Sequence, residues 1–295
     1  MNFKEYQLEA SKTLQSYKSK DQENFFLGYL GLAGEAGSVL TTIKKKIRDG
    51  NGFESFKDRL EEELGDVLWY ISSIASHNSI CLEDLAKKNL SKIDDRFKEK
   101  NLQDLTRFDK DYIEKFPDSF IINFKEQIKE NGFLEVSMIW EKIDGEHLEL
   151  GDPLTDNSKI PNDYRYHDVL HLGHIAFLGW SPVIRHLMQL KRKSDFLTLD
   201  TEDRGRPQVA EEAITLIIYN YAKKNGMFKS GNRLDTEVLN MIKQLVFDLE
   251  VADVSSYQWE QTILLSYEIF NKVVENKGGR VYVSPLERTL KYLGK

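Results

Sequence analysis

Apolar residues recur every three to four positions through most of the first hundred residues, the spacing of one face of a helix. Residues 3 to 18 predict a short amphipathic helix, and Tyr29, Leu32, Ala36, Val39 or Leu40, Ile43 and Ile47 predict a second. Asp49-Gly50-Asn51-Gly52 should end that second helix by turn chemistry. Leu60, Leu64, Val67, Ile71 and Ile74 line a third helix, and Leu82, Ala86, Leu90, Ile93 and Phe97 a fourth. Four amphipathic helices of this kind predict a bundle.

A polar stretch over 99 to 118, ending in Phe116-Pro117-Asp118, reads as an inter-domain linker. The period then changes. Ser119 to Gln127 and Leu134 to Leu150 alternate apolar and polar residues, with Gly132 and Asp144-Gly145 as turn signals, so a small antiparallel hairpin or three-stranded sheet is expected. Helical patterns return at about 163 to 178, 181 to 192, 207 to 225, 234 to 249 and 256 to 275. The expected fold is mainly α: a four-helix domain over 1 to 98, the linker, and a second helical domain with a small β element over 119 to 295.

Within the first domain the pattern is broken by acids. Glu35 lies among the apolar residues of the second helix, and Glu63 and Asp66 among those of the third. A carboxylate on a packing face loses hydration unless a cation or a basic group compensates. Glu63 and Asp66, three residues apart, lie one turn apart on one side of a helix, as two oxygen ligands of a single Mg²⁺ would. The plainer alternative is a set of solvated residues paired with Lys44, Lys45 or Arg59.

The surrounding residues carry a resemblance. Gly31-Leu32-Ala33-Gly34-Glu35-Ala36-Gly37, Glu62-Glu63-Leu64-Gly65-Asp66-Val67-Leu68-Trp69-Tyr70, and Asn89-Leu90-Ser91-Lys92 with Arg96 follow Glu5-Tyr6-Gln7, Ala10 and Thr13 in order. Together they resemble the MazG-like all-α nucleoside triphosphate pyrophosphohydrolases over about residues 1 to 98. The resemblance implies a four-helix bundle in which an ExxE pair faces an ExxD pair with Mg²⁺ or Mn²⁺ between them. It also implies cleavage of a nucleoside triphosphate between its α and β phosphates, and assembly into a dimer or larger homo-oligomer. Carried over, the metal ligands are Glu35, Ser38, Glu63 and Asp66, and Glu62 and Glu63 are the candidates for orienting or deprotonating the attacking water. Asn89, Lys92 and Arg96 would cover the triphosphate. Ser38 departs from the family, which has a second Glu there, and a neutral hydroxyl is a weaker ligand. That substitution keeps a second function open: a weakly or non-hydrolytic nucleotide-binding sensor, in the setting of bacterial defence.

Composition excludes other classes. A net charge of −7 argues against general nucleic-acid binding. Cys81 alone gives no disulfide framework and fits a reducing cytoplasm, where it reads as a small buried residue. No basic segment followed by an apolar one opens the chain, and the longest apolar run, around Ala213 to Tyr221, falls short of the roughly 20 residues of a membrane span. Trp69, inside Val67 to Ile71, reads as core.

The second domain has its own candidate site. His167, His171 and His174 share one helical stripe, with Asp168 adjacent, and a His-xxx-His pair is the spacing of a helical Zn²⁺ or Fe site. Glu211 or Glu212, on a later helix, would supply a carboxylate ligand. A core stripe hydrogen-bonded to backbone carbonyls, Asp168, Asp203 or Glu212 is the competing reading. Lys191 to Asp195 and Glu202 to Pro207 place mixed charge at helix ends, where phosphates bind. From about Phe116 onward the chain resembles the MazG-associated C-terminal domain, through Gly151 to Asp156, Tyr164 to Leu172, Gly179 to Pro182 and Lys191 to Asp195, a resemblance that supplies no chemistry.

Overall fold

The computed structural model describes residues 1–13, 22–129, 132–142, 144–231 and 233–295, with backbone alone at 22–25. The chain divides into two compact units, Met1–Asp94 and Asp95–Lys295.

The first unit is built from α1 (Phe3–Lys12), α2 (Gln22–Asp49), α3 (Phe56–His77) and α4 (Leu82–Phe97), whose last turn belongs to the second unit. Residues 14 to 18 of the expected first helix lie outside the described residues. Asn2 and Glu5 form a reciprocal capping box that starts α1. Gly50, at φ 56°, turns the chain out of α2 as the Asp-Gly-Asn-Gly sequence predicts. Gln7 of α1 donates to Ser76 Oγ (3.1 Å) and the Ile80 carbonyl (2.8 Å) and accepts from the Leu82 amide (2.8 Å). One side chain thereby ties α1 to the end of α3 and the start of α4.

Small residues bring α2 and α3 together. A Cβ at Gly31 would sit 2.1 Å from the Tyr70 ring, so only glycine lets that ring lie on α2. Among the described residues of this unit, the buried apolar side chains are Ala10, Ala75 and Leu82. Several of the predicted packing residues instead face outward, including Leu40, Ile47, Leu64 and Leu90. Cys81 and Trp69 are half-buried rather than core, and Trp69 Nε1 donates to Thr13 Oγ1 (2.9 Å). By length and composition, Phe26–Gly52 is a helix apolar enough to cross a membrane, which corrects the expectation that no run approaches that length. It packs on α3 at Gly31 and carries Glu35 in its middle, but most of its apolar residues are exposed.

The second unit holds a five-stranded antiparallel sheet, β1 (Phe120–Ile128), β2 (Leu134–Glu141), β3 (His147–Glu149), β4 (Gly278–Ser284) and β5 (Thr289–Gly294), in the order β3-β2-β1-β4-β5. The expected hairpin is present as β1 and β2, joined in register from Ile121↔Glu141 to Ile128↔Leu134. The two C-terminal strands were not expected. The helices are α5 (Asp168–Gly173), α6 (Pro182–Leu187), α7 (Phe196–Glu202), α8 (Gly205–Lys224), α9 (Thr236–Leu245) and α10 (Ser256–Glu275). The predicted helix over 163 to 178 is broken into a 3₁₀ turn at Tyr164–Tyr166, α5, and a π turn at His174–Leu178. Gly173 permits the close approach of α5 to α10, since a Cβ there would meet Ser266 Oγ at 1.8 Å.

Residues 99 to 118 are not a free linker. Phe116 is fully buried in the core of the second unit, and the equally buried Asp109 accepts from the Phe116 amide (2.7 Å) and from Arg185 (2.9 Å). The centre of the charged helix ends is likewise consumed inside, while Arg204 and Arg206 stay exposed in pairs with Asp200 and Asp248. Arg192 and Asp203 form a buried pair (2.7 Å) extended to Glu250 (2.8 Å), and Asp195 caps α7, so these groups are not a phosphate cradle.

Beside this network burial pushes Glu202 up to about 7, outweighing the Glu250 amide that donates to it. A carboxyl raised in the folded state binds a proton there that the unfolded chain releases, so stability falls as pH rises from about 4.5 to 7. Glu202→Gln should flatten that fall and, after allowance for partial solvation, stabilise the protein at pH 8 by about 1 kcal/mol. Urea unfolding of both proteins across this range reads the difference; parallel curves would rule it out.

Candidate active site and a second polar cluster

Glu35 of α2 and Glu63 and Asp66 of α3 converge, each offering a carboxylate oxygen within 4.8 Å of the others. Helix periodicity sets this up: Glu63 and Asp66 share one side of α3, and the close α2–α3 approach at Gly31 and Tyr70 brings Glu35 opposite them. Glu35 and Glu63 are half-buried and Asp66 is exposed, so the cluster is open to a charged ligand on one side. Three hard oxygen donors at this spacing fit Mg²⁺, which favours carboxylates and keeps water in its remaining positions.

The other residues singled out in the first unit are distributed around it. Glu62 is turned outward and paired with Arg59 (2.7 Å). Ser38, half-buried, follows Glu35 by three residues on α2. Asn89 and Lys92 are exposed on α4. Arg96 is not available to a triphosphate: its guanidinium is buried in a two-point pair with Glu260 (2.9 and 3.1 Å) and also donates to the Leu234 carbonyl (2.9 Å).

In the second unit the histidine stripe is buried and highly ordered by acceptors. His171 Nδ1 and His174 Nδ1 both donate to Glu211 Oε1 (2.8 and 3.1 Å), while Glu211 Oε2 accepts from the Val183 amide (2.9 Å). Burial alone would raise the Glu211 carboxyl, but His171 and the two imidazole hydrogen bonds hold it down to about 2. Burial likewise opposes charge on His171, yet Glu211 outweighs it and lifts His171 well above its usual value. For His174 burial wins, and its pKa is lowered. His174 packs between Trp180 and Trp259, with ring centroids 6.0 and 5.7 Å away.

His167 donates from Nδ1 to the Tyr164 carbonyl (2.9 Å), and its ring stacks on Tyr164 at 4.3 Å. The Nδ1 bonds to the Tyr164 carbonyl and to Glu211 are those of a core stripe, His174 is packed between tryptophans, and the Nε2 atoms of His167 and His171 lie within 4.0 Å of Glu212. Asp203, offered as a partner for the stripe, pairs instead with Arg192.

Comparison with known proteins follows this division. The MazG C-terminal domain matches residues 103–295, and the MazG nucleotide pyrophosphohydrolase domain matches residues 28–100. The chain belongs to the MazG family. The pyrophosphohydrolase match contains Glu35, Glu63 and Asp66, and the C-terminal match contains the histidine stripe. The Gene 37 protein of Mycobacterium phage L5 is 35% identical over 96 residues, which is 31% of this MazG-family chain and 84% of the phage protein. No solved structure matches the chain significantly.

Proposed function

We propose that this MazG-family protein is a Mg²⁺-dependent nucleoside triphosphate pyrophosphohydrolase that cleaves between the α and β phosphates, releasing nucleoside monophosphate and pyrophosphate. The observation that carries the reading is the convergence of Glu35, Glu63 and Asp66 from two helices within 4.8 Å, inside the stretch matched by the pyrophosphohydrolase domain. Mg²⁺, or Mn²⁺ in its place, would supply charge neutralisation of the phosphate oxygens. Glu35, Glu63 and Asp66 would hold that ion. Glu63, or Glu62 once released from its pair with Arg59, would orient the attacking water and take its proton, and Lys92 with Asn89 would meet the outer phosphate oxygens.

A second copy of the chain is the expected cover for the exposed apolar residues of the first unit, because Ala10, Ala75 and Leu82 are a thin core for four helices. The neutral Ser38 favours weaker metal binding than four carboxylates would give, and the sensor reading rests on it.

The test is incubation of the pure protein with each ribo- and deoxyribonucleoside triphosphate and Mg²⁺, separating pyrophosphate from phosphate, alongside sedimentation of the same sample. Pyrophosphate from a dimer or larger species is expected. Saturable triphosphate binding without pyrophosphate release would replace the enzyme with the sensor, and a monomer that turns over normally would remove the assembly.

A further inference from the structure

We propose that the second unit carries a transition-metal site, separate from the three-carboxylate cluster of α2 and α3, formed by His167 Nε2, His171 Nε2 and a Glu212 carboxylate oxygen, with Asp168 completing the set. Four observations converge on it.

The first is an unpartnered atom. His171 is fully buried and its Nδ1 is committed to Glu211, yet its Nε2 is buried with no hydrogen-bond partner. An orphaned ring nitrogen in a fully buried imidazole costs on the order of 1–3 kcal/mol unless something binds it.

The second is what surrounds that atom. Glu212 Oε2 lies 3.7 Å from His171 Nε2 and 4.0 Å from His167 Nε2, and Asp168 Oδ1 lies 3.8 Å from His167 Nε2. These separations are too long for hydrogen bonds. Ligand atoms about 2.0–2.1 Å from a tetrahedral metal are about 3.3 Å from one another, so shifts of a few tenths of an ångström would close the shell. Ligand atoms of His167, Asp168 and His171 also lie within 4.8 Å of one another.

The third is the orientation of the rings. A carbonyl and an ionised carboxylate only accept, so the Nδ1 atoms of His167 and His171 must both carry hydrogen, on Tyr164 O and Glu211 respectively. Nε2 is then the remaining nitrogen of each ring, 4.0 and 3.7 Å from Glu212 Oε2, and a metal ion there would take the place of any proton on it. This is the arrangement that fixes metal-binding histidines elsewhere, with a carbonyl or carboxylate behind each ring. Glu211, saturated by two imidazoles and the Val183 amide, acts as the positioning residue, and Glu212, half-exposed, as the ligand. The two adjacent acids thus divide the roles.

The fourth is access. Glu212 and Tyr164 line a cleft of about 610 Å³ together with Val183, His186, Leu187 and Gln208. An ion would enter from that side. Two imidazoles with one or two carboxylates suit Zn²⁺, Mn²⁺ or Fe²⁺ better than Mg²⁺ or Ca²⁺.

The experiment uses the full chain, stripped with chelator and titrated with Zn²⁺ by calorimetry and with Co²⁺ followed by its visible absorption. One Zn²⁺ per chain and a Co²⁺ spectrum of nitrogen and oxygen ligation are expected. Glu212→Gln should weaken Zn²⁺ at least tenfold and His167→Gln should do the same. Glu212 lies at the cleft and His167 is buried against Tyr164, so loss of fold is checked by circular dichroism and by an unchanged unfolding midpoint of the metal-free protein. Glu63→Gln combined with Asp66→Asn should leave Zn²⁺ binding intact, which separates this site from the triphosphate site. Absence of a Zn²⁺ isotherm in the wild type, or binding that survives in Glu212→Gln and His167→Gln while disappearing in the Glu63→Gln/Asp66→Asn protein, would overturn the assignment.

Discussion

Glu63→Gln and Asp66→Asn are each expected to lower triphosphate hydrolysis about a thousandfold while the protein stays folded. Each change removes a negative oxygen from the three-carboxylate cluster without altering side-chain size. A metal ligand contributes several kcal/mol of transition-state charge stabilisation, and about 4 kcal/mol corresponds to about a thousandfold in rate. Asp66 is exposed and Glu63 half-buried, so the helix they share has little reason to unfold. Excess Mg²⁺ should recover part of the lost rate if affinity is the main loss. Wild-type turnover in both variants, with wild-type circular dichroism, would show that the cluster is not the catalytic centre.

Arg96→Ala should be the most destabilising single change among the residues considered, by about 3–5 kcal/mol, because it leaves the Glu260 carboxylate buried without its cation. Glu260 is 3% exposed and retains the Leu234 amide as a donor, which is not enough to balance a full charge. The replacement of both partners by apolar residues, Arg96→Met with Glu260→Met, should restore most of the loss, since the charge and its desolvation disappear together. Urea unfolding of the single and double variants measures this directly. A single variant within 1 kcal/mol of wild type would mean that water reaches Glu260 and that the pair is marginal.

The contrast between these two positions shows what a linear sequence can carry. Glu35, Glu63 and Asp66 were legible because their placement depends on helix period and on one helix pair, both written locally. Arg96 was not, although it lies on a helix as regular as α3. Its partner is 164 residues away, and the helical period says which side a residue faces without saying what waits there. The same limit hid Arg192, whose neighbours Lys191 and Lys193 make it look like surface charge until Asp203 and Glu250 close around it. The division of labour between Glu211 and Glu212 was also invisible, because adjacent helical residues point about 100° apart and either could meet the histidines. By contrast, β4 had a readable signal: Arg280-Val281-Tyr282-Val283 alternates at period two with β-branched and aromatic residues, after a Gly278-Gly279 pair that opens the strand. The breaks at 174 to 178 left no such trace, since a π turn uses the same residue types as the α-helix it interrupts.

The strand order has a kinetic consequence. β1 lies between β2, its immediate successor, and β4, which follows every helix of the second unit. One edge of β1 is therefore satisfied by a hairpin that closes in microseconds, while the other waits for a pairing across most of the unit's length. During synthesis β1 would emerge with an open edge and remain so until the final hairpin arrives, which makes that edge the point at which a nascent chain is most exposed to mispairing with another.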